Sequence, residues 1–277
     1  MPDDDSTPIR VTRRTKLWLG LGGFALLGPA GALAQPAPAA PPLTQGGEGG
    51  EGGEGGEGGE AGVDADRAAS DPVAFILALD VVAAHYLAGR RAYEAGRNTA
   101  AAEMFAHPIA EIYTELEGVF QDRGVPPFQE KMQEASTLAL DRAPRGRVAA
   151  AVDQVLAALK EAEAKAPGAG PSLTVRARVV GEMLDRAALQ HAYALRSQEL
   201  EPYLDGLGLY LAAEARAKAV APALEAAGHR AEAKAMREAV RALAPAYPGM
   251  NRPARPIAPG PLSAQAARLK LALSDLP

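Results

Sequence analysis

Ser70-Asp71-Pro72-Val73-Ala74-Phe75-Ile76-Leu77-Ala78-Leu79 decides the fold class. A polar cap followed at once by proline opens a helix, because the first turn needs no N–H from the proline and its fixed φ already suits the helix. Phe75 to Leu79 is then apolar almost all round, so this helix, which runs to near Gly96, is expected at the centre of the molecule.

Beyond Ser70 the chain is rich in Ala, Leu, Glu and Arg, with apolar positions three and four apart and almost no alternating β-branched runs. That pattern predicts an all-α protein. Gly96-Arg97-Asn98 turns the chain into a second helix from Thr99 to Arg123, stopped by Gly124-Val125-Pro126-Pro127. Helices over Phe128 to Leu140 and Arg147 to Ala166 follow. The Pro/Gly break from Pro167 to Pro171 is the expected midpoint, where region 70–244 divides if it forms two bundles. Ser172 then caps a long helix to Leu200, Glu201-Pro202 starts another to Ala227, and Arg230 to Ala244 returns. In the last region, 245–277, Pro245 and five further prolines up to Pro261 read as an irregular strap, and Ser263 as the cap of a short helix to Leu273. The sum is about eight helices, which suits one or two antiparallel bundles.

Upstream the composition changes. Arg10, Arg13, Arg14 and Lys16 precede an apolar run from Leu17 to Leu27, and Ala32-Leu33-Ala34 is a small-x-small end, so residues 1–34 read as a secretory signal cut before Gln35. Thr12-Arg13-Arg14 resembles the start of a twin-arginine signal, with Lys16 where an apolar residue is usual, and both export routes stay open. Leu17 to Ala34 would span roughly 27 Å as a helix, so an uncleaved anchor is the alternative. Pro29 between Gly28 and Gly31 favours removal, which leaves no transmembrane segment in a mature protein that is periplasmic or extracellular. Residues 35–69 read as a flexible linker: a Pro/Ala stretch, then five Gly-Gly-Glu units from Gly46 to Glu60 with no apolar group to offset the entropy of ordering.

The chain has no cysteine, so an exported form is held by core burial and not by disulfides. Removing residues 1–34 leaves 25 basic against 31 acidic groups, and five of the acids are the linker glutamates. The folded part is therefore close to neutral, which implies neither a nucleic-acid surface nor a basic membrane patch.

The four histidines carry most of the chemical information. His85 lies in the first helix and His107 in the second. In an antiparallel hairpin turning near Asn98 the two come within about one helical turn, roughly 5 Å along the axis. Glu111 follows His107 at i+4, on the same helix face, and Glu115 at i+8. His191, with Tyr193 and Glu199 nearby, is a further candidate, whereas His229 falls in a turn after Gly228. Imidazole with carboxylate suits zinc, iron or copper better than calcium. The same histidines admit a packing reading, in which each is a partly buried group bonded to a neighbour, and His107-Pro108 marks a helix irregularity. Tyr86, Tyr93, Tyr113, Tyr193, Tyr203 and Tyr210 fall in helices, where tyrosine usually fills core with a polar tip, although phenolates can bind ferric iron. No nucleophile elbow, phosphate loop or dinucleotide fingerprint occurs, so no enzymatic activity is expected.

Tyr86 to Gly96 (YLAGRRAYEAG), followed by Ala101 and Phe105, resembles one tetratricopeptide unit, whose small and aromatic residues lock two helices together; no second copy follows at the period of about 34 residues. An exported, alanine-rich, many-helix chain with histidine and glutamate on its early helices also resembles the imelysin-like periplasmic proteins, including helical components of bacterial iron uptake. That resemblance implies two pseudo-repeated bundles and a metal-binding Gly-x-His-x-x-Glu motif. Here the stretch reads Ala83-Ala84-His85-Tyr86-Leu87-Ala88, so of the motif only His85 carries over.

The expectation is an extracytoplasmic helical binding protein that handles a transition metal, iron first, through His85, His107, Glu111 and His191, and passes it to a membrane transporter or envelope protein. The rival is a non-catalytic envelope scaffold with structural histidines. Mass spectrometry of the exported protein is expected to show an N-terminus at Gln35; an intact Met1 would mean that the apolar segment is retained.

Overall fold

Asp71 turns the chain into its central helix. In the computed structural model, residues 63–277 are described; the signal-like segment, the Pro/Ala stretch and the Gly-Gly-Glu run lie outside the described residues. The described elements are α1 (Ala65–Ser70), α2 (Pro72–Glu94), α3 (Asn98–Pro108), a π turn (Ile109–Tyr113), α4 (Thr114–Asp122), α5 (Gln129–Leu140), α6 (Arg145–Glu163), α7 (Leu173–Ala194), α8 (Glu201–Ala226), α9 (Arg230–Leu243), a 3₁₀ turn (Ala244–Ala246) and α10 (Pro259–Ser274). With α3, the π turn and α4 taken as one irregular helix, the protein is an all-helical bundle of about nine helices.

The Asp71 side chain accepts from the Val73 N–H at 2.8 Å and Pro72 occupies the first turn. Phe75, Ile76, Leu79, Val82 and Tyr86 are all buried, because α3, α6, α7 and α8 each pack against α2. Among the described residues α2 alone is long and apolar enough to cross a membrane; here those apolar groups face other helices. Helices from both sides of the 167–171 break share α2, and all described residues fall in one compact unit.

At the end of α2, Gly96 takes φ +80 and lets the Arg97 N–H return to the Ala92 carbonyl at 2.9 Å, which ends the helix and reverses the chain. In the resulting hairpin Tyr86 stacks on Phe105 with ring centroids 5.1 Å apart, and its hydroxyl donates to the Phe105 carbonyl at 3.0 Å and reaches the Met132 carbonyl at 3.2 Å.

Several boundaries differ from expectation; the helix expected to reach Leu200 ends at Ala194, and residues 195–200 form a turn and bend before α8. Asp64 accepts from the Arg67 N–H and Ala68 is fully buried, so α1 is ordered helix inside the stretch read as linker. The second helix is interrupted: Pro108 has no N–H to donate, and the next turn widens into the π turn, where the Thr114 hydroxyl also bonds the Ile109 carbonyl at 2.9 Å. The last helix starts at Pro259, not after Ser263, because both Pro259 and Pro261 fit a first turn whose N–H groups have no helical acceptor.

Two contacts fix α8 against α2. Gly208 lies so close to α2 that a Cβ there would sit 2.3 Å from the Ala84 carbonyl oxygen. One turn back along α2, Asp80 receives two bonds from the Arg216 guanidinium, at 2.6 Å each, and Arg216 also binds Glu163 of α6 at 3.0 and 3.1 Å. Burial disfavours the Glu163 carboxylate, but bonds from Arg216 and Arg176 outweigh it and hold the group below its usual range. Gly208→Val is expected to destabilise the fold by about 1–3 kcal/mol, read as a lower urea midpoint at unchanged slope. Arg216→Met leaves Asp80 buried without its counter-charge and is expected to lose about 3–5 kcal/mol, much of it recovered in the Asp80→Leu, Arg216→Met double variant.

Candidate functional site

The site is built where α2, α3 and α8 meet, and its first element is the carbonyl of Val81. His85 Nδ1 lies 2.8 Å from that oxygen, so Nδ1 carries a proton and donates it. Burial pushes the His85 imidazole down to about 4; the Val81 bond works the other way and His107 adds to the depression. His85 is therefore neutral near pH 7, with its lone pair on Nε2. That atom faces Asp205 Oδ1 of α8 at 3.8 Å. At that separation the two groups form no direct hydrogen bond with each other.

His107 stands beside this pair. Its ring is 6.4 Å from that of His85, centroid to centroid, at 72° between planes, and its Nδ1 is 3.3 Å from Glu201 Oε1 at the start of α8. Burial raises the carboxyl of Glu103, one turn before His107 on α3, and the charge of His107 partly opposes this. His85, His107, Glu201 and Asp205 line a cavity of about 340 Å³ that is also lined by Glu111 from the π turn, Glu199 from the bend before α8, and Arg186, Leu189, Gln190 and Tyr193 from α7. The α7 residues are spaced i, i+3, i+4 and i+7 and so form one helix face. Burial lowers the Arg186 guanidinium from its usual range, while Glu182 and Asp185 hold it up.

Of the residues picked from sequence, His85, His107 and Glu111 reach the same cavity. His191 does not. It is buried, its Nε2 lies 2.8 Å from the Ile257 carbonyl, and its ring meets Tyr247 edge-on at 6.0 Å, so the ring ties α7 to the strap. Glu115 is exposed on α4, and His229 caps the turn before α9. Sequence reasoning missed Asp205 and Glu201, which lie about a hundred residues from His85 and His107 on a helix whose register no local pattern reports.

The acidic side of the cavity is positioned by the strap. Arg252 donates to the Ser197 carbonyl at 2.8 Å and to the Glu199 carbonyl, so its guanidinium holds the bend that carries Glu199 into Glu201. The strap is pinned in turn by the Tyr203 hydroxyl, which reaches the Gly249 and Asn251 carbonyls at 2.7 and 2.9 Å.

In chemical terms, the arrangement gathers two imidazoles and four carboxylates with room for a small ligand, which is a donor set for a transition-metal cation. Among the described residues no three such groups stand close enough to hold an ion as they are. Comparison of the chain with protein-family profiles, curated proteins and solved structures finds no match to any of them. Arg252→Ala is expected to leave helix content unchanged by circular dichroism while hydrogen exchange over residues 195–202 accelerates; unchanged exchange would mean that the bend holds its shape without the arginine.

Proposed function

We propose that this chain is an extracytoplasmic helical binding protein that takes up a transition metal, iron first, for sequestration or delivery to a membrane transporter. The observation that carries the reading is the neutral His85 Nε2 facing Asp205 at 3.8 Å, with His107 and Glu201 alongside. A histidine whose Nδ1–H is spent on a backbone carbonyl presents Nε2 in the tautomer a metal requires, and the carbonyl fixes the ring's orientation. His85, His107, Asp205 and Glu201 are the primary ligands in this proposal, with Glu111 completing the set. Binding and release suffice for the role, and no turnover is involved. The export reading rests on Arg10 to Ala34, and the Gly-Gly-Glu run supplies a solubilising tether.

The envelope-scaffold reading draws on one observation, that the metal-type side chains do not yet converge among the described residues. Metal content decides between the two. The mature protein from its native compartment is expected to carry about one equivalent of metal by mass spectrometry. His85→Ala, His107→Ala is expected to weaken uptake in titrations with Fe²⁺, Zn²⁺ and Cu²⁺ by about a hundredfold or more. A metal-free protein with no saturable uptake of any of the three would sink the binding-protein reading and leave the scaffold.

A further inference from the structure

The cavity of about 340 Å³ stands at the small end of the range, roughly 300 to 1,000 Å³, in which proteins hold organic ligands, and a single ion fills little of it. Much of its wall is hydrocarbon. Val81, Ala84, Pro202 and Leu209 are buried and form the floor, whereas Leu189 and Tyr193, 59 % and 54 % exposed, stand at the rim. Five large apolar side chains are exposed among the described residues, and three of them, Leu189, Tyr193 and Leu195, cluster at the C-terminal end of α7. A ligand with a hydrocarbon body covers such a rim; a lone ion leaves it in water.

Charge and hydrogen bonding give the ligand's sign and its head group. Paired or not, Glu111, Glu199, Glu201 and Asp205 set four negative charges against the one positive charge of Arg186, so the lining carries −3 with both imidazoles neutral and −2 with His107 protonated. The side-chain oxygen of Gln190 is buried in the same wall and accepts no hydrogen bond from a described residue. His85 spends its Nδ1–H on the Val81 carbonyl and so presents Nε2 as a second acceptor. A primary ammonium carries three N–H donors and no acceptor, which matches this wall, whereas a carboxylate or phosphate ligand meets only like charge there.

We infer that this cavity binds a short aliphatic diamine, with one ammonium against Gln190 and His85 and the hydrocarbon chain along Val81, Ala84 and Leu209. The second ammonium meets the more exposed carboxylates, Glu199 and Glu201. A dication suits a lining of −3 better than a single charge does, and its chain uses the apolar wall. Binding of the diamine requires no metal and no convergence of three ligands, so it is independent of the metal-binding reading above.

The test is titration calorimetry of the full mature chain with 1,5-diaminopentane, pentylamine and 1-pentanol in about 0.15 M salt, where surface attraction is screened over roughly 8 Å. The expected result is saturable binding of one diamine per chain, binding of pentylamine about tenfold weaker, and none of pentanol. Gln190→Leu keeps the bulk of the side chain and removes its acceptor, and it is expected to weaken the diamine by about tenfold. Glu199→Gln, at an exposed position in the bend, is expected to weaken it as well, and decides the matter if Gln190→Leu departs from the parent in circular dichroism or melting temperature. No saturable heat with the diamine, or pentanol bound as tightly, would overturn the assignment. Diamine binding unchanged in both variants would place it on the linker glutamates and overturn the site. None of these outcomes touches the Fe²⁺, Zn²⁺ and Cu²⁺ titrations, which test the metal-binding reading separately.

Discussion

The contact on which the rest depends is the approach of α8 to α2 at Gly208 and Ala84. Only a residue without Cβ lets the two backbones come that close, and the closeness sets the register of two antiparallel helices. Asp80 meets Arg216, Ala84 meets Gly208 and His85 faces Asp205, so the partner number falls as the α2 number rises. A slip of one residue in either helix would rotate Asp205 by about 100° away from the imidazole. The buried pair at Asp80 and Arg216 works at the other end of the same seam. Its net contribution to stability is small in general, but a displaced register would leave a charge buried without its partner, and that is strongly unfavourable. Packing and charge therefore enforce one alignment, and the site lies just past the Gly208 contact, on the side away from the ion pair.

Around that seam the molecule uses backbone carbonyls as anchor points. Tyr86, Tyr203, Tyr247, His191 and Arg252 each donate to a carbonyl far away in sequence. A chain without cysteines has no covalent staple between its segments, and each side-chain donor to a distant carbonyl contributes about 1 kcal/mol towards holding them together. The proline-rich strap depends on this most, since its prolines cannot donate to one another. The widened turn after Pro108 shows the opposite use of proline: an interrupted helix carries Glu111 into the cavity just past His107.

Much of this was legible from local pattern. The capped, all-apolar start of α2 announced a central helix, and the spacing of Gly96 to Asn98 implied the hairpin that brings His85 and His107 together, because a short turn leaves little freedom in how two helices align. Glu111 followed from helical spacing, although the turn that carries it is wider than the one assumed. His191 lies apart from the other candidates for a physical reason: a histidine on an inward helix face can be a ligand or a donor to a carbonyl, and its placement depends on what packs opposite. Here that is the Ile257 carbonyl, contributed by a strap without periodicity.

By itself, then, the sequence determined the class of fold, the central helix, the hairpin and the pairing of two histidines, since all of these follow from contacts between residues close along the chain. Tertiary structure alone decided which carboxylates join them, that Tyr193 lines the cavity, and that His191 packs against the strap. Those outcomes depend on the alignment of α7 and α8 against α2, set by a missing Cβ at Gly208 and a buried ion pair at Arg216, and neither interaction leaves a periodic trace in the residues that it positions.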